Sequence, residues 1–276
     1  MHGRPGELED WTQMRDGFDT AFLEKWHGAG NDFLVAVRPG SPARLDGATA
    51  RRWCDRHTGI GADGLIEGTF DDAGLVMHLH NADGTKAELS GNGLRCLAAA
   101  AATHGLIPEG TLDVATDAGL RRVTVALDPA GDRAWGSVEM GPVTIEPGGS
   151  LGAGVIATIG NPHVVIADPG GDADQLVDRA AELTSSIGSG ANVEFVTVER
   201  PDHLSIRVVE RGVGLTLACG TGSCATAAVC HALGMSGTRV TVSNPGGDLD
   251  VSLDGGAATL SGPAIRIASI SLAERW

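Results

Sequence analysis

The chain has 276 residues, 42 % hydrophobic and 20 % charged, a globular composition long enough for two ordinary domains or one large one. Its 35 acidic residues against 20 basic ones give a net charge of −15, which argues against a surface for nucleic acid or anionic membrane. Five cysteines make an odd, sparse set unlike the disulfide framework of a small secreted domain, and a cytoplasmic, reducing setting fits them best.

The opening MHGRPGELEDWTQMRDG has no basic segment followed by an apolar one, so no secretory signal is expected, and residues 1–20 read as a flexible tail. No apolar run reaches the roughly 18 residues of a membrane-spanning helix. Helices are expected at 48–56, 93–104, 174–186 and 222–233, the second and fourth being Ala-rich. Between them fall strand signals, alternating or rich in Val and Ile and bounded by Gly, Asp or Pro. They are LVMHLH (75–80), LDVAT (112–116), RRVTVAL (121–127), HVVIA (163–167), NVEFVTV (192–198) and LSIRVVE (204–210). RVTVS (239–243), ATLSG (258–262) and AIRIASISL (264–272) complete the series.

The chain repeats itself. Gly30-Asn31-Asp32 resembles Gly160-Asn161-Pro162 at an offset of 130, and Gly61-Ala62-Asp63 matches Gly190-Ala191-Asn192 at 129. Ser90-Gly91-Asn92-Gly93 matches Cys219-Gly220-Thr221-Gly222, again at 129. One such match is worthless in a Gly- and Ala-rich chain, but collinear anchors at one period mark a duplication. The expected fold class is therefore α/β, with two pseudo-symmetric domains, each a mostly antiparallel sheet or barrel around a central helix. Their expected bounds are 21–135 and 136–265, with a C-terminal strand in 266–276 rejoining the first half.

A Gly-rich turn entering a helix offers free backbone N–H groups where the helix dipole favours anions. Two such turns face to face would grip a carboxylate and the charge that grows on it during reaction. The same field is expected to lower the thiol pKa of Cys219 toward neutrality. Such a thiol could remove the proton beside the carboxylate, with residue 90 facing the opposite side of that carbon, which is the design of a racemase or epimerase. Alone, Gly-x-Gly before a helix is a weak signal, and Cys219 could equally be a buried core residue. Cys54, Cys96, Cys224 and Cys230 read as core, and the cysteines lack zinc spacing, so no metal is expected. Asn31, Asn81, Asn161, Asn192 and the pair Glu210-Arg211 lie at turns, where Asn is common for backbone reasons. Together they also suit an amino-acid head group, with amides and one guanidinium.

HGAGNDF, DRHTGIGADGL, NADGTKAELSGNGLRC, GNPHVV, NVEFV and ERGVGLTLACGTGSCA resemble, in order and spacing, the motifs of the diaminopimelate epimerases. The resemblance covers about residues 22–272. It implies two pseudo-symmetric α/β domains with the site in the cleft between them, no cofactor, a small amino-acid substrate and, by analogy, a homodimer. It implies interconversion of LL- and meso-diaminopimelate in lysine and cell-wall precursor synthesis. Cys219 matches the family's second catalytic cysteine. Asn31, Asn81, Asn161, Asn192, Glu210 and Arg211 match positions that bind substrate, and Gly91-Asn92 and Gly220-Thr221 match the turns that hold the reacting carboxylate.

Ser90 departs from the pattern, since the family's first catalytic cysteine stands there. A hydroxyl is a far poorer base than a thiol. Three accounts are open: natural variation in a working epimerase, an engineered Cys-to-Ser change, or a shift to another reaction. The alternatives to the epimerase are a weak one-base enzyme relying on Cys219, a β-hydroxy amino acid dehydratase and a non-catalytic amino-acid binder.

Overall fold

The computed structural model describes residues 22–39, 45–72, 74–185 and 190–272. The expected tail at 1–20 and the end of the 266–276 segment lie outside the described residues. The first half opens with β1 (Phe22–Gly28) and β2 (Asn31–Arg38), paired antiparallel through Ala29 and Gly30, both at positive φ (51° and 85°). α1 (Gly47–Cys54) then brings the chain back so that β3 (Gly64–Asp71) runs parallel to β2. β4 (Gly74–Asn81) returns antiparallel to β3, and short β5 (Lys86–Ala87) leads into α2 (Gly91–Thr103). β6 (Gly110–Val114), β7 (Arg121–Leu127) and β8 (Arg133–Pro142) form an antiparallel meander, followed by short β9 (Thr144–Ile145).

The second half repeats that order. β10 (Val155–Ile159) and β11 (Asn161–Ala167) make a hairpin, and α3 (Ala173–Thr184) crosses to β12 (Asn192–Arg200), parallel to β11. β13 (His203–Glu210) returns antiparallel, and short β14 (Gly214–Thr216) precedes α4 (Gly220–Ala232). The meander β15 (Arg239–Asn244), β16 (Gly247–Asp254) and β17 (Ala257–Ser269) closes the unit. The expected fold class is the one found: two similar α/β units, mostly antiparallel. β17 ties them together, pairing with β16 over 257–261, with β8 over 257–265 and with β1 over 265–269.

The helices divide by burial. α2 is buried from Gly91 through Ala102 and α4 over most of its length, and a helix apolar on every side must be a core helix. The run Ala98–Ala101 is fully buried, its small side chains letting the strands close in. α1 and α3 bury one stripe each, Ala50, Trp53 and Cys54 in one, Leu176 and Ala180 in the other. Each begins on an aspartate cap, Asp46 accepting from Thr49 N at 2.8 Å and Asp172 from Gln175 N at 3.0 Å.

Three expectations need adjustment. The Gly-rich runs are not turns ahead of α2 and α4 but their first turns, so Ser90 and Cys219 are the N-caps themselves. The strands expected at 258–262 and 264–272 are one, running through Pro263, whose missing N–H falls in the gap between the β16 and β1 pairings. Strands β1, β2, β3, β8, β10 and β16 carry no strand expectation, and in β1, β3 and β8 charges or glycines interrupt the apolar pattern. In β3, for instance, Glu67 is buried against Arg38 of β2 at 3.2 Å.

Candidate active site

Ser90 and Cys219 occupy equivalent places. The Ser90 hydroxyl accepts from Gly93 N at 3.0 Å, and Cys219 Sγ accepts from Gly222 N at 3.3 Å. Each side chain thus satisfies one of the orphan donors at its helix start. The two first turns share a floor: a Cβ on either Gly91 or Gly220 would meet the same Leu260 methyl at 2.7 Å. A Cβ on Gly220 would also lie 3.7 Å from Asn92 Oδ1, so the expected facing of the two turns is realised.

Around Cys219 the structure gathers several of the expected residues. Asn192 Nδ2 lies 3.9 Å from its sulfur and Thr221 Oγ1 3.4 Å, while Asn192 Oδ1 accepts from Arg211 N at 3.0 Å. Glu210 accepts from Thr216 Oγ1 at 2.6 Å. Around Ser90, Asn92 Nδ2 donates to Asn31 Oδ1 at 3.3 Å, and Asn31 Nδ2 donates to Asp63 Oδ2 at 2.9 Å. Asn161 Oδ1 lies 3.2 Å from His163 Nε2. Asn81 is exposed, bonding Thr85 Oγ1 at 3.0 Å and pairing with Gly64, one residue from Asp63.

The expected lowering of the Cys219 pKa is wrong in sign. Burial pushes the thiol well above its ordinary value, and the carboxylates of Glu210 and Glu194 push the same way. Thr221 and the Gly222 N–H pull it back by less. The helix terminus is present, as the sequence requires, but it loses to desolvation and to two acids from β12 and β13. Burial also raises Glu210.

Sequence reasoning passed over four residues here. His163 and Glu194, both fully buried, pair at 2.7 Å behind Cys219, and a Cβ on Gly222 would come 2.5 Å from Glu194 Oε1. Asn244 accepts from Cys219 N at 3.4 Å and donates to Ser223 Oγ at 3.2 Å, bracing the cap. Arg95 lies fully buried under the Ser90 turn. The signal for His163 and Glu194 was a buried ionisable residue inside each of two quoted motifs. Two surface cavities, of about 330 and 240 Å³, lie elsewhere, along β15–β17 and at the C-terminal end of α4. The candidate site is thus the seam between the turns, identified by its chemistry rather than by its volume.

Comparison with known proteins agrees with this geometry. The diaminopimelate epimerase family profile matches residues 23–146 and 155–272. The chain is 39 % identical to the diaminopimelate epimerase of Desulforudis audaxviator, over 87 % of this chain and 95 % of that protein. It is 38 % identical to that of Corynebacterium glutamicum, over 88 % and 95 %. Among solved structures, a hydroxyproline epimerase from Agrobacterium vitis with bound trans-4-hydroxy-L-proline shares the fold at TM-score 0.70. That likeness covers 91 % of this chain and 92 % of the other at 18 % identity. A Bacillus anthracis phenazine biosynthesis protein does so at TM-score 0.67 and 15 % identity, over 93 % and 100 %. With matched motifs in order, paired helix caps and relatives covered nearly end to end, the chain belongs to the diaminopimelate epimerase family.

Proposed function

We propose that this chain interconverts LL- and meso-diaminopimelate, serving lysine and cell-wall precursor synthesis in the cytoplasm, with Cys219 and Ser90 on opposite faces of the α-carbon. The observation that carries this reading is the pair of N-caps whose first turns meet at Leu260. Backbone N–H groups of Gly91-Asn92 and Gly220-Thr221 would hold the reacting carboxylate and stabilise the charge that moves onto it. Asn31, Asn81, Asn161, Asn192, Glu210 and Arg211 would bind the rest of the substrate. Among the described residues no helix is long and apolar enough to cross a membrane. By analogy with the family we further propose a homodimer, and two halves dividing near residue 135.

The raised thiol suits one half of the cycle. A protonated Cys219 can return a proton to the carbanion as general acid. In the reverse direction its thiolate takes the α-proton, stabilised by the Gly222 N–H and Thr221. On the other face Ser90, or a water it holds, must do the same work with a much weaker base. The reaction should therefore run asymmetrically. Incubation with each isomer in D2O tests this: exchange of the α-hydrogen is expected from both, faster from the isomer presented to Cys219. No exchange from either isomer would overturn the reading, and exchange from one alone would reduce the protein to a single working base.

A further inference from the structure

Arg95 stands one turn into α2, directly beneath Gly91 and Asn92, and none of its surface is exposed. Its guanidinium donates through Nη2 to Asn92 Oδ1 at 2.7 Å and through Nη1 to Gly91 O at 3.4 Å. Nε has no partner, and among the described residues Arg95 makes no ion pair. The ionisable groups near it are the thiols of Cys96 and Cys224. Three glycines make room for it, for a Cβ on Gly28, Gly136 or Gly262 would come within 3.0, 3.1 and 3.3 Å of its side chain. The fold has built a fitted chamber for one cation.

A buried charge without a partner is strongly disfavoured. Burial, opposed by the thiols of Cys96 and Cys224, pulls the Arg95 pKa down to about 10, which still leaves it charged at neutral pH. The acids at the far end of the Asn92–Asn31 chain do not compensate it. Asp63 and Asp32 are matched by Arg56 and Lys25, through contacts of 2.8 Å (Arg56–Asp63), 2.7 Å (Arg56–Asp32) and 2.9 Å (Lys25–Asp32). Two carboxylates meet two cations there, and Arg95 is left over. Its position at the positive end of α2 adds to the imbalance. The duplication sharpens the point, because the offset of 129 puts Cys224 where Arg95 stands. Only one of the two turns has a cation under it.

Arg95 also sets the direction of a chain of amides. A guanidinium can only donate, so Asn92 must turn Oδ1 toward it and its NH2 group away. That NH2 meets Asn31 Oδ1, and the Asn31 NH2 meets Asp63, a carboxylate that can only accept. A donor-only cation at one end and an acceptor-only anion at the other fix the orientation of both asparagines.

We propose that Arg95 is a positioning residue whose unpaired charge is completed by the carboxylate of the substrate, while its hydrogen bond fixes Asn92 and Asn31 in their binding orientation. This rests on the reading above, that a carboxylate is held at the paired turns. The site then selects an anion over a neutral amide of the same shape.

Asn92→Asp tests the charge directly in the ligand-free protein. A carboxylate placed against Nη2 should raise the melting temperature, and in an Arg95→Met background the same change should lower it. A fall or no change in the otherwise wild-type protein would overturn the proposal, and this result is decisive even if Arg95→Met does not fold. Where Arg95→Met folds, its KM for meso-diaminopimelate should rise at least tenfold with kcat less affected, and Arg95→Lys should recover part of the loss. A KM within twofold of wild type would equally overturn it. Failure of diaminopimelate to react with the wild-type protein would sink the substrate assignment instead, leaving the ligand-free melting test intact.

Discussion

The two helix starts share a backbone and differ in what backs them. Both are capped by residue i accepting from N–H i+3, at 3.0 Å for Ser90 and 3.3 Å for Cys219. Behind the Ser90 turn, a Cβ on Gly93 would meet the methyl of Ile66 at 2.9 Å; behind the Cys219 turn, the Gly222 position faces the Glu194 carboxylate at 2.5 Å. The strand position beside Ile66 is the apolar Val35, whereas the Glu194 carboxylate is held by the His163 ring. Beneath the first turn lies the cation Arg95, beneath the second the neutral Cys224. Duplication has therefore preserved the capped backbone of the two helix starts, while the buried acid–histidine pair stands behind only the second. A thiol needs neighbours that govern its proton; a hydroxyl, ionised at no accessible pH, gains little from them.

Breaking the comparison outright is the task of paired substitutions. Cys219→Ala is expected to cut α-hydrogen exchange by about 10²–10⁴-fold, the span of a general acid or base, whereas Ser90→Ala should cost about tenfold. Ser90→Cys should raise kcat, by roughly tenfold if it restores a second thiol of ordinary reactivity. Equal losses at the two positions, followed by mass spectrometry in D2O, would erase the asymmetry.

The pH dependence of Cys219 sharpens the comparison further. With its folded pKa raised, the thiol resists alkylation by iodoacetamide at neutral pH, and the rate should climb only above the ordinary thiol value of about 8.5. The same shift means that the neutral thiol contributes stability fully below that value and loses it as pH rises beyond it, because the unfolded chain ionises first. Glu194→Gln removes one of the two opposing carboxylates and should move the alkylation profile to lower pH, with a faster rate at any fixed pH. Peptide mapping separates this site from Cys54, Cys96 and Cys224, whose pKa values burial pushes up to about 12. A profile unmoved by Glu194→Gln would remove Glu194 from the groups that set the thiol.

The smallest expected effect concerns packing. Gly93→Ala and Gly222→Ala both overfill the turn, costing about 1–3 kcal/mol in urea unfolding, against which the better helix propensity of Ala returns less than about 1 kcal/mol. Gly222→Ala should lie at the upper end, since it presses on a carboxylate oxygen held by His163 rather than on the rotatable end of Ile66. The reverse order would remove the distinction between the two backings.

Much of this was legible in the sequence because motif and repeat are local properties. The two capped Gly-rich runs, the asparagines beside them and the four helices can each be read from a dozen adjacent residues. What was not legible depended on contacts between distant segments. Glu194 and Glu210 meet Cys219 from other strands, so the dipole was visible in the chain and the desolvation that outweighs it was not. Arg95 looked like one more helix residue, because nothing in GNGLRC says that Gly28, Gly136 and Gly262 fold around it. The strands at 22–28, 31–38 and 64–71 were hidden by Glu24, Arg38 and Glu67, charges that only tertiary partners make tolerable.

Glu24 shows where such partnership leads. Its carboxylate is almost wholly enclosed, and its donors include Trp26 Nε1 at 2.8 Å and, from β17, Arg266 and Ser269, each at 3.2 Å. Arg266 stands 242 positions downstream. During synthesis the first sheet must therefore wait, its edge open and an acid unsheltered, until the 242 positions up to Arg266 have been made. Closure of so large a loop makes this a slow-knitting topology, one in which the earliest-made half is finished among the last.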